Sequence, residues 1–167
     1  AAFIRPGDAD QVAQVIKLAR ESGVNLAIRS GGHSLAAHSL VHGGIVLDLV
    51  NMQDLQIDLE KQTAWAQSGL TAGKYTSEAG KFGLVTGFGD TATVGLGGLT
   101  LGGGVGYLVR KYGLTIDQLL AAEIVTADGQ LLYTDAHSHP DLFWALRGGG
   151  GNFGVVTRFK YQLHALD

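Results

Sequence analysis

Glycine placement restricts this chain more than any other feature. Glycine makes up 26 of 167 residues, against an average share of about 7%, and it is clustered. Nearly every second residue from Gly87 to Gly106 is glycine, and a shorter run occupies Gly148 to Gly151. No Gly-X-Y period holds, which excludes a collagen-like rod. Val94, Leu96, Leu99, Leu101 and Val105 interleave with the glycines, which argues against a disordered linker. The remaining use is backbone that needs positive φ or that lets a ligand approach closely.

Around these glycines the hydrophobic pattern reads as α and β elements in one folded unit, the size a chain of this length supports. Phe3-Ile4 is a short strand. Asp8 is an N-cap with Gln11 at N3, ahead of Val12, Val15, Ile16 and Ala19 on one helical face, and Gly23 closes that helix. Leu26-Ala27-Ile28 follows as a buried strand, which makes a βαβ unit and a sheet that starts parallel. Further strands are expected at Ile45–Leu47, Leu55–Ile57 and Thr63–Ala66, with a helix over Thr71–Lys81. A second lobe is expected to begin near Gly69, so that residues 1–68 and 69–167 form two lobes. It holds the glycine-rich stretch, a short helix around Tyr107–Lys111, strands at Ala122–Thr126 and Leu131–Thr134, a helix over Asp141–Leu146 and a last strand over Val155–Tyr161. Asp128-Gly129 between two strands is a hairpin signal.

Charge and composition narrow the ligand class. The formal charge is -3, the pI is near 6.0, and no cluster of Lys and Arg occurs. A nucleic-acid or anionic-membrane partner is therefore not expected, and the ligand is expected to be a small molecule. With no cysteine, the chain has no disulfide, thiolate metal site or cysteinyl cofactor bond. No apolar run approaches a membrane span, and Ala1–Pro6 does not read as a signal segment. These absences leave the compartment undecided and favour a bacterial cytoplasm. The chain opens directly on a strand-like segment, as one that begins earlier in nature would.

Three constellations carry chemistry. Arg29-Ser30-Gly31-Gly32-His33-Ser34 follows a buried strand, where two glycines let consecutive N–H groups converge on an anion such as a pyrophosphate. By spacing alone the same segment also reads as a tight turn. The run Thr93-Val94-Gly95-Leu96-Gly97-Gly98-Leu99-Thr100-Leu101-Gly102-Gly103-Gly104-Val105-Gly106 lacks the register of a nicotinamide-binding Rossmann turn and the Lys-Ser/Thr ending of a P-loop. A glycine-rich turn packed between lobes is its structural alternative. The third, Arg147 to Thr157, sets a backbone-accessible loop before the final strand, with Gly154 and Val156 at its end. Three such loops favour an extended cofactor lying across the domain.

Together with Arg110–Leu120 and Val125–Gly129, these segments resemble the berberine-bridge-enzyme-like branch of the vanillyl-alcohol oxidase and p-cresol methylhydroxylase flavoproteins, over essentially the whole chain. The resemblance implies an α+β, two-lobed FAD-binding domain, with a small βαβ lobe, a larger mixed-sheet lobe and FAD between them. It implies an 8α-histidyl bond from His33 to FAD, and a pyrophosphate loop at Arg29, Ser30, Gly31, Gly32, His33 and Ser34. The run containing Thr93, Val94, Gly95, Gly97, Gly98, Gly103, Gly104 and Gly106 would lie along the flavin, and the region ending at Gly154 and Val156 would meet the adenine side. Val94 corresponds to the residue that lines the oxygen pocket in relatives, which suggests molecular oxygen as acceptor.

The departures from the family pattern are informative. The position of a second, cysteinyl attachment is Thr91 here, so only one covalent bond is expected. Tyrosines of plant-type members are replaced by Leu35 and Val105, and Tyr107 and Tyr112 nearby read as packing aromatics. His38 and His42 lie in the loop after His33 and read as solvated residues that reach a flavin edge at most. His137, His139, Asp135 and Asp141 fit a turn before a capped helix around Pro140, and no metal is expected. No substrate domain and no catalytic base are legible. The leading expectation is the FAD-binding portion of a larger oxidase acting on a CH–OH or related carbon, inactive as this portion alone. The alternatives are an isolated flavin-binding module without turnover, and a non-covalent flavin reductase of the same superfamily.

Overall fold

The computed structural model describes residues 1–166; Asp167, the last residue of the expected second lobe, lies outside them. The chain begins with β1 (Ala2–Ile4), α1 (Ala9–Ser22), β2 (Leu26–Arg29) and β3 (Ile45–Asp48). Helix α1 starts where Asp8 Oδ1 accepts the Gln11 N–H at 2.8 Å and ends at Gly23, whose φ of 65° is left-handed. Its buried face is Val12, Val15, Ile16 and Ala19, as the periodicity predicts. The sheet is parallel, but β1 and β2 do not pair with each other. Strand β3 lies between them in the order β1-β3-β2. Ile45, Val46 and Leu47 are buried on both faces of this middle strand, the environment that a continuous apolar run suits.

The remaining strands build a second, five-stranded antiparallel sheet. It contains β4 (Leu55–Asp58), β5 (Thr63–Gln67), β7 (Leu119–Val125), β8 (Leu131–Asp135) and β9 (Val155–Gln162), in the order β4-β5-β9-β7-β8. The change of sheet therefore falls between Asp48 and Leu55. The reason is long-range pairing: Thr63–Gln67 finds its partner in Arg158–Gln162. The β7–β8 hairpin turns at the expected Asp128-Gly129, with Gly129 at φ 78°. A small antiparallel pair, β6 (Leu84–Val85) with β10 (His164–Ala165), carried no sequence signal of its own.

Helices cover the larger sheet. Thr71 caps α2 (Ala72–Gly80), whose Tyr75 is fully buried and meets Phe88 and Tyr161 edge to face, with ring centroids 4.7 and 5.7 Å away. The glycine-rich run contains α3 (Leu96–Leu101), a helix that the glycine content did not suggest. Burial of Leu96 and Thr100 overrides weak helix propensity there. Thr100 Oγ1 lies 2.7 Å from the Tyr161 hydroxyl, which fastens α3 to the sheet. Next come α4 (Val109–Tyr112), slightly later than expected, and α5 (Pro140–Leu146). Val125 and Val155 of the larger sheet join the core beneath α1 and β3, so the two sheets share apolar contact.

Candidate functional site

The C-terminal ends of parallel strands are where ligand-binding loops gather, and here the Ser30–Ser34 turn leaves the end of β2. Gly32 sits at φ 72°, a conformation that glycine adopts without strain. Gly31 lies directly against Gly95: a Cβ on Gly31 would stand 2.2 Å from the Gly95 nitrogen. The first two constellations are thus joined backbone to backbone, a contact that admits no side chain on either residue.

A buried hydroxyl network adds the third constellation. Ser30 Oγ donates to the Ser68 carbonyl at 2.5 Å and accepts the Gly97 N–H at 3.2 Å. Ser68, fully buried after β5, donates from its own Oγ to the Val156 carbonyl at 2.6 Å, and its N–H reaches the Thr157 carbonyl at 2.9 Å. One small residue therefore ties the β2 turn, the start of α3 and the start of β9 together. Sequence reasoning passed over Ser68, because a serine at a strand end has no signature until its distant partners are known.

These loops enclose a cleft of about 620 Å³, within the range of about 300–1,000 Å³ usual for small-molecule and cofactor sites. Of the sequence-selected residues, Ser30, Gly31, Gly32, His33, Ser34, Val94, Gly95, Gly97, Gly98, Gly154 and Val156 line it. His38 lines it as well, together with the apolar Leu26, Ile28 and Leu49. Arg29, Thr93, Gly103, Gly104 and Gly106 do not. Gly103 and Gly104 form a positive-φ turn after α3, and a Cβ on Gly104 would stand 2.1 Å from Thr115 Oγ1. A Cβ on Gly106 would stand 1.6 Å from the Phe88 carbonyl oxygen. Gly104 and Gly106 thus leave room for neighbouring chain. Arg29 is instead paired with Asp48, its Nη1 3.3 Å from Oδ2. Thr91 lines a separate, smaller cleft of about 250 Å³ with Phe88, Asp90 and Tyr107.

Burial pushes Tyr75 and Tyr161 well above the usual tyrosine range, so both act as neutral hydroxyls toward Thr86 and Thr100. His33 is exposed at the cleft, and Leu35 and Val105 are exposed as well. The His137–His139 turn is held by Asp135, which accepts the His137 and Ser138 N–H groups at 2.7 Å each and the Tyr133 hydroxyl at 2.7 Å. These donors, the Tyr133 hydroxyl foremost, lower the Asp135 carboxyl to about 2.

The donor set of the cleft suits an extended cofactor such as FAD. Gly98, Gly150 and Gly151 line it with no atom within 4 Å of where a Cβ would sit, so bare backbone faces the open space. Ser34, Ser39 and apolar walls complete it.

Comparison with known proteins agrees. The FAD binding domain family matches residues 1–135. The crystal structure of 6-hydroxy-D-nicotine oxidase from Arthrobacter nicotinovorans is similar with a TM-score of 0.96 at 42% identity, over 98% of this chain and 36% of that one. Glucooligosaccharide oxidase from Acremonium strictum, described with a 6-S-cysteinyl, 8α-N1-histidyl FAD, gives a TM-score of 0.94 at 32% identity, over 99% of this chain and 35% of that one. Berberine bridge enzyme-like 27 from Arabidopsis thaliana is 41% identical over 96% of this chain and 31% of that protein. The chain spans about a third of the length of the curated relatives it matches. On its sequence match, its fold and the convergence of three glycine loops on one cleft, the chain belongs to the FAD binding domain family, among relatives that include the berberine-bridge-enzyme-like proteins.

Proposed function

We propose that this chain is the FAD-binding portion of an oxidase that takes hydride from a CH–OH or related carbon of a small molecule, with FAD bonded through its 8α carbon to His33 and dioxygen as acceptor. The observation that carries this reading is the placement of His33 on the cleft, at the end of a turn whose backbone rests on Gly95. An imidazole nitrogen there is accessible and has a lone pair to give to carbon. Bound flavin supplies the two-electron acceptor; the protein binds and orients.

The chain's own residues divide the remaining work. Gly31 and Gly32 offer backbone to the pyrophosphate, and Gly95, Gly97 and Gly98 lie along the flavin. Gly154 and Val156 border the adenine side, and Val94 lines the approach of oxygen. Thr91 has no thiol, so a single covalent bond is assigned. Substrate selection and the catalytic base are assigned to sequence outside this chain, in keeping with the third of its relatives' length that it spans.

Acid precipitation of the full-length protein, followed by a peptide map, tests the reading. Flavin is expected on the peptide containing His33, and His33→Ala is expected to abolish acid-stable flavin entirely. Release of all colour to the supernatant from the unaltered protein would replace this reading by that of a non-covalent reductase. Covalent flavin without reduction by any donor would leave a flavin-binding module.

A further inference from the structure

We infer that Asp48 is a positioning residue for the flavin-bearing turn, acting through Arg29; the inference rests on the assignment of His33 proposed above. Asp48 closes the middle strand of the parallel sheet and is 1% exposed. A buried carboxylate needs partners, and two arginines supply them from the two flanking strands. Arg5, just after β1, approaches Oδ2 with Nε at 3.2 Å, and Arg29, the last residue of β2, approaches the same oxygen with Nη1 at 3.3 Å. Oδ1 accepts the Val50 N–H at 3.4 Å.

The arm through Arg29 leads to the cleft. Arg29 is paired with Asp48 in the strand register, and its guanidinium returns beneath the turn that follows it. A Cβ on Gly32 would stand 2.8 Å from Arg29 Nε and 3.3 Å from Nη2. The guanidinium thus fills the space a side chain at position 32 would need, one residue before His33. Anchored to Asp48, it holds both the height of the turn and a positive charge beside an anion-binding backbone. Without the carboxylate, a side chain with 38% of its surface exposed is free to swing into solvent, and the turn loses its support. The arm through Arg5 ends on a side chain 58% exposed, and neither Arg5 nor its chain neighbours line the cleft.

Covalent attachment is where this placement is read most directly. Attachment would form an N–C bond between His33 and the flavin 8α carbon and break one C–H and one N–H bond, the two protons and the electron pair together reducing dioxygen to hydrogen peroxide. Reactions of this kind lose rate steeply when the reacting atoms are misplaced by an ångström.

The experiment measures the rate of acid-stable flavin incorporation into the full-length apoprotein, with free flavin retained and thermal midpoint recorded alongside. Asp48→Asn is expected to slow incorporation about tenfold or more, Asp48→Glu to restore part of the loss, and Arg5→Met to stay within about twofold. Arg29→Gln is expected to match Asp48→Asn, and the double variant to be no worse than either alone. Incorporation by Asp48→Asn at the unaltered rate overturns the inference, as does additivity of the two losses. If Asp48→Asn fails to fold, Asp48→Glu against Arg29→Gln decides: full incorporation by Arg29→Gln overturns it. If the unaltered protein holds flavin only reversibly, it is the His33 assignment that fails. The same variants are then compared by flavin dissociation constant, where equality of Asp48→Asn with the unaltered protein overturns the role of Asp48.

Discussion

Gly95, Gly97 and Gly98 line the cleft, whereas Gly104 and Gly106, a few residues on, press against other parts of the chain. In sequence the two groups are one glycine-rich run. In the fold they do opposite work. The first group borders the cleft but differs within itself: Gly98 faces open space, Gly95 lies against Gly31, and a Cβ on Gly97 would stand 3.2 Å from Ser30 Cβ. The second leaves room for Thr115 and the Phe88 carbonyl. Glycine content therefore marks close approach without saying what approaches, and a substitution series separates the two uses because one is read in stability and the other in flavin retention.

The largest effect is expected at Gly106. Gly106→Ala places a Cβ 1.6 Å from a backbone oxygen, and the main chain has to move. A loss on the order of 4 kcal/mol, seen as a collapsed thermal midpoint or insoluble protein, is expected. A well-folded Gly106→Ala protein would undo the division between packing and cleft glycines. Gly95→Ala comes next, with a Cβ 2.2 Å from the Gly31 nitrogen and from Ser30 Oγ. Separating the two loops is expected to cost about 2 kcal/mol and to lower flavin retention together with stability, the signature of a position that belongs to both groups.

The smallest effect on stability, and the sharpest on the comparison, is expected at Gly98. It lies inside α3 with nothing within 4 Å of a Cβ. Gly98→Ala is expected to stabilise the unliganded protein by about 0.5–1 kcal/mol while weakening flavin retention, measured by titration of the apoprotein. Unchanged retention would remove Gly98 from the ligand wall.

Short-range logic was legible in advance. Asp8, Gln11 and Gly23 bound α1 as their capping chemistry requires, and Val12, Val15, Ile16 and Ala19 share its buried face. Asp128-Gly129 turns the β7–β8 hairpin, and Ser30 to Ser34 emerges beside the cleft at the end of β2, a strand expected to be buried but half-buried apart from Ala27. In each case the physics lies within a few residues: a cap, a helical period, a positive φ. The α3 helix escaped notice because glycine propensity argues against it and only the burial of Leu96 and Thr100 argues for it.

What tertiary structure decided is partnership between distant residues. The amino-acid order alone yields a parallel start to the sheet, but β3 as its middle strand follows from which strand can be buried on both faces. Arg29 sits in a phosphate-binding motif by sequence, yet its guanidinium goes to Asp48, because a buried carboxylate has to be paired and β3 brings it alongside β2. Ser68 gained its place at the junction of three loops in the same way, through partners that lie 38 and 88 residues away along the chain. Local conformational preferences are written into neighbouring residues, whereas the satisfaction of buried polar groups is settled only when the whole chain has closed around them.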